Sequence, residues 1–204
     1  MRVLIACEYS GKVRDAFRKL GHRAWSCDLL PTDMAGMHFQ TDIFEVLDLG
    51  LPWDVMIAHP PCTDLAVSGA KHFAIKRADG RQQKSIEFFM RLANADIPRK
   101  CVENPVCIMS SEWRKPDQII QPWMFGHEAT KTTCLWLHNL PKLVPTQIVG
   151  KGRRHVTKGG NSLPEWYNLP PGPDRGKIRS ATFQGVADAT ASQWSHVADP
   201  SPIP

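Results

Sequence analysis

Residues 2–28 restrict the chain to a narrow set of architectures. Arg2-Val3-Leu4-Ile5-Ala6-Cys7 holds an apolar run too short for a buried helix, and Glu8-Tyr9-Ser10-Gly11 closes it. That is the pattern of a strand covered on both faces. Val13, Ala16, Phe17 and Leu20 then recur at helical spacing, and Gly21 supplies the stop. Residues 23–27 form a second strand, which ends in Asp28. A strand–helix–strand unit joins parallel neighbours, so an α/β fold with a mostly parallel sheet is expected.

The rest of the chain continues this alternation. Thr41-Asp42-Ile43-Phe44 reads as a loop after a short extended piece, and residues 53–58 as a strand. His59-Pro60-Pro61-Cys62 must turn away, because two prolines cannot continue a central strand. Residues 80–95 place Ile86, Phe89, Met90 and Ala93 on one helix face. Residues 100–103 form a buried strand stopped by Asn104-Pro105, and residues 132–137 form another. Residues 141–177 are rich in Gly, Pro, Lys and Arg and read as a long loop or a small irregular insertion. Residues 181–194 regain helical character, and 199–204 read as a flexible tail.

Composition removes several function classes. With 204 residues, 42% hydrophobic and 22% charged, the chain has enough apolar surface for one domain with a core. No apolar run is long enough for a membrane span, and the N-terminus lacks the regions of a signal peptide, so a cytoplasmic location is expected. The six cysteines form no C-x-x-C pair, which argues against a disulfide framework or a structural zinc site. A net charge of +5 is compatible with a polyanionic partner.

Open parallel sheets bind ligands outside the carboxyl ends of their strands. Polar residues recur there: Glu8, Ser10 and Gly11, then Asp28, Asp42, Cys62 and Glu103. A carboxylate at the second strand tip, Asp28, suits two ribose hydroxyls, and Asp42 suits an adenine amino group. The turn carries Gly11 but not the G-x-G-x-x-G fingerprint, which argues against a pyrophosphate cofactor. Cys62 is the one cysteine set among prolines and polar residues; a nucleophile needs that exposure and rigid aim. Glu103, expected at a neighbouring strand end, is suited to hydrogen-bond a heterocycle edge and donate a proton.

These residues resemble the cytosine-C5 DNA methyltransferase family over nearly the full length, and most of all its short phage and prophage members. The resemblance runs through Ala6-Cys7-Glu8-Tyr9-Ser10-Gly11, Asp28, Thr41-Asp42-Ile43, Asp54-Val55-Met56-Ile57-Ala58-His59-Pro60-Pro61-Cys62, Glu103-Asn104 and Ile178-Arg179-Ser180-Ala181-Thr182-Phe183-Gln184-Gly185. Within it, His59 stands where glycine is usual, and Lys131 stands in for an arginine that contacts the base. The likeness implies a Rossmann-like S-adenosylmethionine-dependent methyltransferase fold. It divides the chain into a catalytic and cofactor-binding core over 1–140, a short insertion over 141–177 in place of a target-recognition domain, and a returning segment over 178–198. It implies catalysis by Cys62, Glu103 and Lys131. Cofactor contacts would come from Cys7, Glu8, Ser10, Gly11, Asp28, Leu29, Asp42, Ile43 and Pro60, and substrate contacts from Ser68, Asn104, Arg153 and Arg154. No metal and no membrane partner are expected, and the cell would be bacterial or phage-infected.

The chemistry so implied is attack of Cys62 on carbon 6 of cytosine while Glu103 binds the N3 edge. Methylation of carbon 5, loss of its proton and release of Cys62 follow. The favoured substrate is DNA, methylated with low sequence specificity after base flipping. A free pyrimidine nucleotide such as dCMP is an alternative, since the insertion is short. A non-catalytic decoy that binds cofactor or DNA is another, since the glycine loop is reduced. Amino-methylating enzymes fit less well because position 62 is Cys, and a zinc deaminase lacks its paired ligands.

Overall fold

Side chains alternate across a strand, and the N-terminal run obeys this on both faces. In the computed structural model, which describes residues 1–169, 172 and 175–197, that run is β1 (Arg2–Ala6). It is followed by α1 (Lys12–Lys19), β2 (Arg23–Asp28), β3 (His38–Gln40), α2 (Ile43–Asp48) and β4 (Val55–Ala58). Then come α3 (Phe73–Ala78), α4 (Arg81–Ala93), β5 (Arg99–Pro105), α5 (Met109–Glu112), β6 (Gln118–Ile120) and β7 (Thr133–His138). The hairpin strands β8 (Arg154–Val156) and β9 (Ser162–Pro164) precede α6 (Arg175–Ser180) and α7 (Gln184–Trp194). The tail expected over 199–204 lies outside the described residues.

Seven strands make one sheet in the order β3-β2-β1-β4-β5-β7-β6. Strands β1 to β5 run parallel, β7 runs antiparallel to β5, and β6 antiparallel to β7. The mostly parallel α/β sheet expected from the sequence is therefore present. Val3, Ile5, Val55 and Ile57 face one side, where Val13 and Phe17 of α1 and Ala187 and Trp194 of α7 cover them. Leu4, Ala6, Met56 and Ala58 face the other, under Ile43 and Val46 of α2 and Phe89 and Leu92 of α4. Each large side chain buried this way is worth about 1.5–3 kcal/mol, which fixes the register of the central strands. Trp136 and Trp194 are also buried, and their indole N–H groups reach the carbonyls of Arg114 and Pro141.

Several local readings change. Asp42 is not in a loop: its carboxylate accepts from the Phe44 N–H and caps α2, a helix of six residues with too little periodicity to stand out. Strand β5 runs on through Asn104 and Pro105. Pro105 is tolerated because β4 pairs only as far as Val102, so the strand has a partner on one side alone there. Within 141–177 the described residues form the β8–β9 hairpin, a short 3-10 turn (Glu165–Asn168) and the start of α6. Among the described residues no helix is long and apolar enough to cross a membrane.

The chain winds outward from β1 to β3 and then crosses to the other side of β1 to form β4. The order reverses between β1 and β4, and the crevice above that point is where such sheets take ligands. The turns after both strands lie there, and His59 donates its backbone N–H to the Ala6 carbonyl at 2.9 Å.

Candidate active site

The turn after β1 is shaped by the needs of α1. Cys7 has a left-handed φ of 58°, and Glu8 donates its backbone N–H to the Cys27 carbonyl at the end of β2. Gly11 opens α1 and offers no side-chain cap. The Glu8 carboxylate takes that role, accepting from the N–H groups of Val13 at 2.8 Å and Arg14 at 3.3 Å and from Ser10 Oγ at 3.1 Å. Glu8 and Ser10, expected as cofactor contacts, are thus buried and their side chains serve the helix. The reason is general: the first N–H groups of a helix have no partner within it and favour an anion.

Arg14 went unnoticed in the sequence, where an arginine on a helix reads as a solvated charge. It is fully buried. Its guanidinium pairs with Asp15 and donates to Ser26 Oγ, Thr32 Oγ1 and the Met34 carbonyl, tying the segment after β2 to α1. A Cβ at Gly36 would sit 2.7 Å from that guanidinium, so the segment passes close only because position 36 is glycine.

Asp28 and Asp42 stand at the β2 and β3 end of the same edge. Asp28 Oδ1 accepts from the Leu30 N–H at 2.9 Å, and Asp42 Oδ1 from the Phe44 N–H at 2.8 Å. Both carboxylates act on the Cys7 thiol, which burial above all, then Asp28, Cys27 and Asp42, pushes far up. Leu29 is 71% exposed beside them. Ile43, also expected at the cofactor, is a core residue under β1 and β4.

A second cluster occupies the ends of β4, β5 and β7. His59 Nδ1 lies 2.8 Å from Glu103 Oε2, with both side chains mostly buried. Burial pushes the Glu103 carboxyl up; the His59 bond and charge, with Lys131, outweigh it and hold the carboxyl below its usual range. Burial raises the Cys62 thiol, and Glu103 adds to this, while Lys131 and Arg179 pull it back down. Lys131 is itself lowered, by burial first, with Glu103 and Cys62 opposing. Its ammonium donates to the Arg179 carbonyl at 2.8 Å and lies 5.9 Å from the Phe183 ring centroid. The charges of Glu103 and Lys131 both bear on Cys62, although Lys131 lies 69 residues from it in sequence.

Asn104, expected as a substrate contact, has its amide N–H engaged within the fold. It is buried, and its amide donates to the Pro60 carbonyl at 2.9 Å, so it holds the Pro60-Pro61 turn that carries Cys62. Pro60 is buried beneath that bond. Ser68 is exposed on the 3-10 turn Val67–His72. Arg153 and Arg154 are exposed at the hairpin: Arg154 folds back on Ser162, and Arg153 borders a groove with Glu128, Ala129 and Thr130. The sequence did not single out His59, Arg179 or Phe183 as site residues. The available signal was their position: His59 directly follows β4, and the other two lie in the late segment.

A cavity beneath the site, on the α1 and α7 face, is lined by His59, Glu103, Lys131, Thr133, Phe183 and Val186 among others. Over it runs the segment from α6 to α7. Tyr9 Oη donates to the Lys177 carbonyl at 2.5 Å, Lys12 Nζ to the Thr182 carbonyl at 3.2 Å, and Gly185 N–H to His127 Nε2 at 2.8 Å. All six cysteines are free thiols.

The strand order, with one antiparallel strand beside β5 and a reversal between β1 and β4, defines a Rossmann-like α/β fold. The chain is similar to a protein described as a DNA modification methyltransferase encoded within an E. coli prophage, at 15% identity and a TM-score of 0.49, over 74% of this chain and 52% of that one. It is also similar to the Entamoeba histolytica methyltransferase EhMeth, at 14% identity and a TM-score of 0.48, over 73% of this chain and 57% of that one. The chain thus spans little more than half the length of these structures. No protein-family model and no curated protein matches it.

Proposed function

We propose that this chain is an S-adenosylmethionine-dependent methyltransferase acting on carbon 5 of cytosine in DNA, with low sequence specificity, through a covalent Cys62 adduct. One observation carries the reading: His59, Glu103 and Lys131 line one cavity at the ends of β4, β5 and β7, and the charges of Glu103 and Lys131 both bear on the half-buried Cys62 thiol. A nucleophile, a carboxylate able to relay its proton and a cation in one place are what addition to a pyrimidine ring requires.

The opposite half of the edge fits the cofactor. Asp28 and Asp42 each use one oxygen in their own turns, and among the described residues neither second oxygen has a partner, which suits a ribose diol and an adenine amino group. Exposed Leu29 offers an apolar surface beside them. Bound there, the cofactor supplies an electrophilic methyl group. The chain's own residues do the rest. Burial and Glu103 keep Cys62 a thiol, while Lys131 and Arg179 favour the thiolate whose sulfur bonds to carbon 6. Glu103 holds the N3 edge, takes the Cys62 thiol proton and passes it to N3 as the ring double bond is lost. Asn104 keeps the proline turn, and hence Cys62, in place.

The test is incubation with radiolabelled cofactor and either duplex DNA or dCMP, followed by nucleoside analysis. Labelled 5-methylcytosine in DNA is the expected product, with a Cys62-dependent adduct on DNA containing 5-fluorocytosine. Label in dCMP alone would replace the DNA reading with the nucleotide one. That second reading draws on the small size of the 141–177 insertion, whose described strands form only a three-residue hairpin pair. Binding of cofactor or DNA without either product would leave the decoy reading.

A further inference from the structure

Within the proposed chemistry, His59 has no assigned part, yet it makes the closest side-chain contact of Glu103. The pairing follows from strand order. Ala58 sits opposite Val102, so the next residues, His59 and Glu103, emerge side by side on the α1 and α7 face. Their contact of 2.8 Å joins ring Nδ1 to carboxyl Oε2. A carboxylate oxygen only accepts, so the ring donates through Nδ1–H. The other ring nitrogen, Nε2, is buried and has no partner among the described residues, although the ring lines the cavity with Glu103 and Lys131. A histidine kept only for packing would not leave a buried nitrogen unsatisfied, which costs about 1–3 kcal/mol.

We propose that His59 is the positioning residue for Glu103: its Nδ1–H engages Oε2, turns Oε1 toward the heterocycle, and stabilises the carboxylate left when Oε1 gives up its proton. This rests on the function proposed above. The proton balance of the addition closes: the Cys62 thiol first gives its proton to the Glu103 carboxylate at Oε1. As the Cys62 thiolate bonds to carbon 6, the ring double bond's electrons shift toward carbon 5 and the N3 side, and N3 takes the proton from Oε1. Glu103 is then a carboxylate, neutralised in part by Nδ1–H and by Lys131. When the C–S bond breaks, the N3 proton returns to Oε1. The ring keeps its Nδ1 proton throughout. The other titratable groups around Glu103 are Lys131 ahead of β7, Cys62 and Cys107 in the loops after β4 and β5, Cys101 of β5 and Cys134 of β7, with Arg179 behind Lys131.

Two variants separate the roles of the ring. His59→Ala removes the donor, and His59→Asn keeps an N–H near the Nδ1 position. The carboxyl of Glu103, followed by carbon-13 NMR in the free protein and assigned with Glu103→Gln, should titrate at higher pH in His59→Ala and near the wild-type position in His59→Asn. Adduct formation with 5-fluorocytosine DNA should slow tenfold to a hundredfold in His59→Ala, the range of a charge-assisted hydrogen bond, and recover to within severalfold in His59→Asn. An unmoved Glu103 titration in His59→Ala, or an adduct rate equal to wild type, overturns the assignment. A wild-type protein that forms no adduct while the titration shifts as expected overturns the Cys62 chemistry and leaves the His59–Glu103 pairing standing.

Discussion

The two halves of the proposed ligand edge are built on different principles. At the tips of β2 and β3, Asp28 and Asp42 are each held by one backbone N–H two residues away, and each stays partly exposed. Inside the fold, Glu8 caps α1 and Arg14 ties the segment after β2 to it. At the tips of β4, β5 and β7 the groups hold one another: His59 on Glu103, Asn104 on the Pro60 turn, Lys131 on the α6 segment. Locally held groups respond to substitution one at a time. Mutually held groups share a low-dielectric environment, so loss of one shifts the rest.

The two halves differ most sharply at Cys62. Cys62→Ala should lower methyl transfer by about 10⁴-fold or more, as for other lost nucleophiles, with cofactor affinity by calorimetry unchanged. Residual transfer near wild type would remove the nucleophile half altogether. Glu103→Gln should lower the rate by about 10²–10⁴-fold, the range of a lost general acid. Because Glu103 also raises the Cys62 thiol, the same variant should bring Cys62 alkylation by iodoacetamide to lower pH.

On the other half, Asp28→Ala should weaken cofactor binding by about tenfold to a hundredfold, the worth of hydrogen bonds to a charged group, while the rate at saturating cofactor holds. A fall in that rate with unchanged affinity would mean that the two halves are not separable. The smallest effect is expected at Lys131. Its positive charge lowers the Cys62 thiol, so Lys131→Met should move the alkylation midpoint to higher pH and slow the reaction severalfold at pH 8. A midpoint that moves down would show that burial of Cys62 depends on Lys131 more than its charge does.

The fold was legible because its signals are local. The β1–α1–β2 unit announces itself in 27 residues of alternating pattern, Arg2–Asp28, and the later buried strands carry apolar runs of the right length. The short elements were not legible. Helix α2 and strand β6 have six and three residues, too few to show a period. The candidate site was visible only as residue types at strand ends, and the orientation of its side chains was not. Glu8, Ile43 and Asn104 stand in sequence where ligand residues would be, yet each side chain turns inward.

By itself the sequence determined the α/β class, the parallel core and the chemistry available at each strand tip. Those follow from hydrophobic spacing and residue type, which are properties of neighbours in the chain. Only the tertiary structure decided which tips meet. Placing β4 beside β5 sets His59 against Glu103 across 44 positions of sequence, and β7 beside β5 brings Lys131 to the same carboxyl. Side-chain parity along each strand then decides which of two adjacent residues, Glu103 or Asn104, faces the cavity and which locks the turn. Cys62 owes its place to the two prolines before it, and the groups that set its reactivity to strands that meet only in the folded sheet.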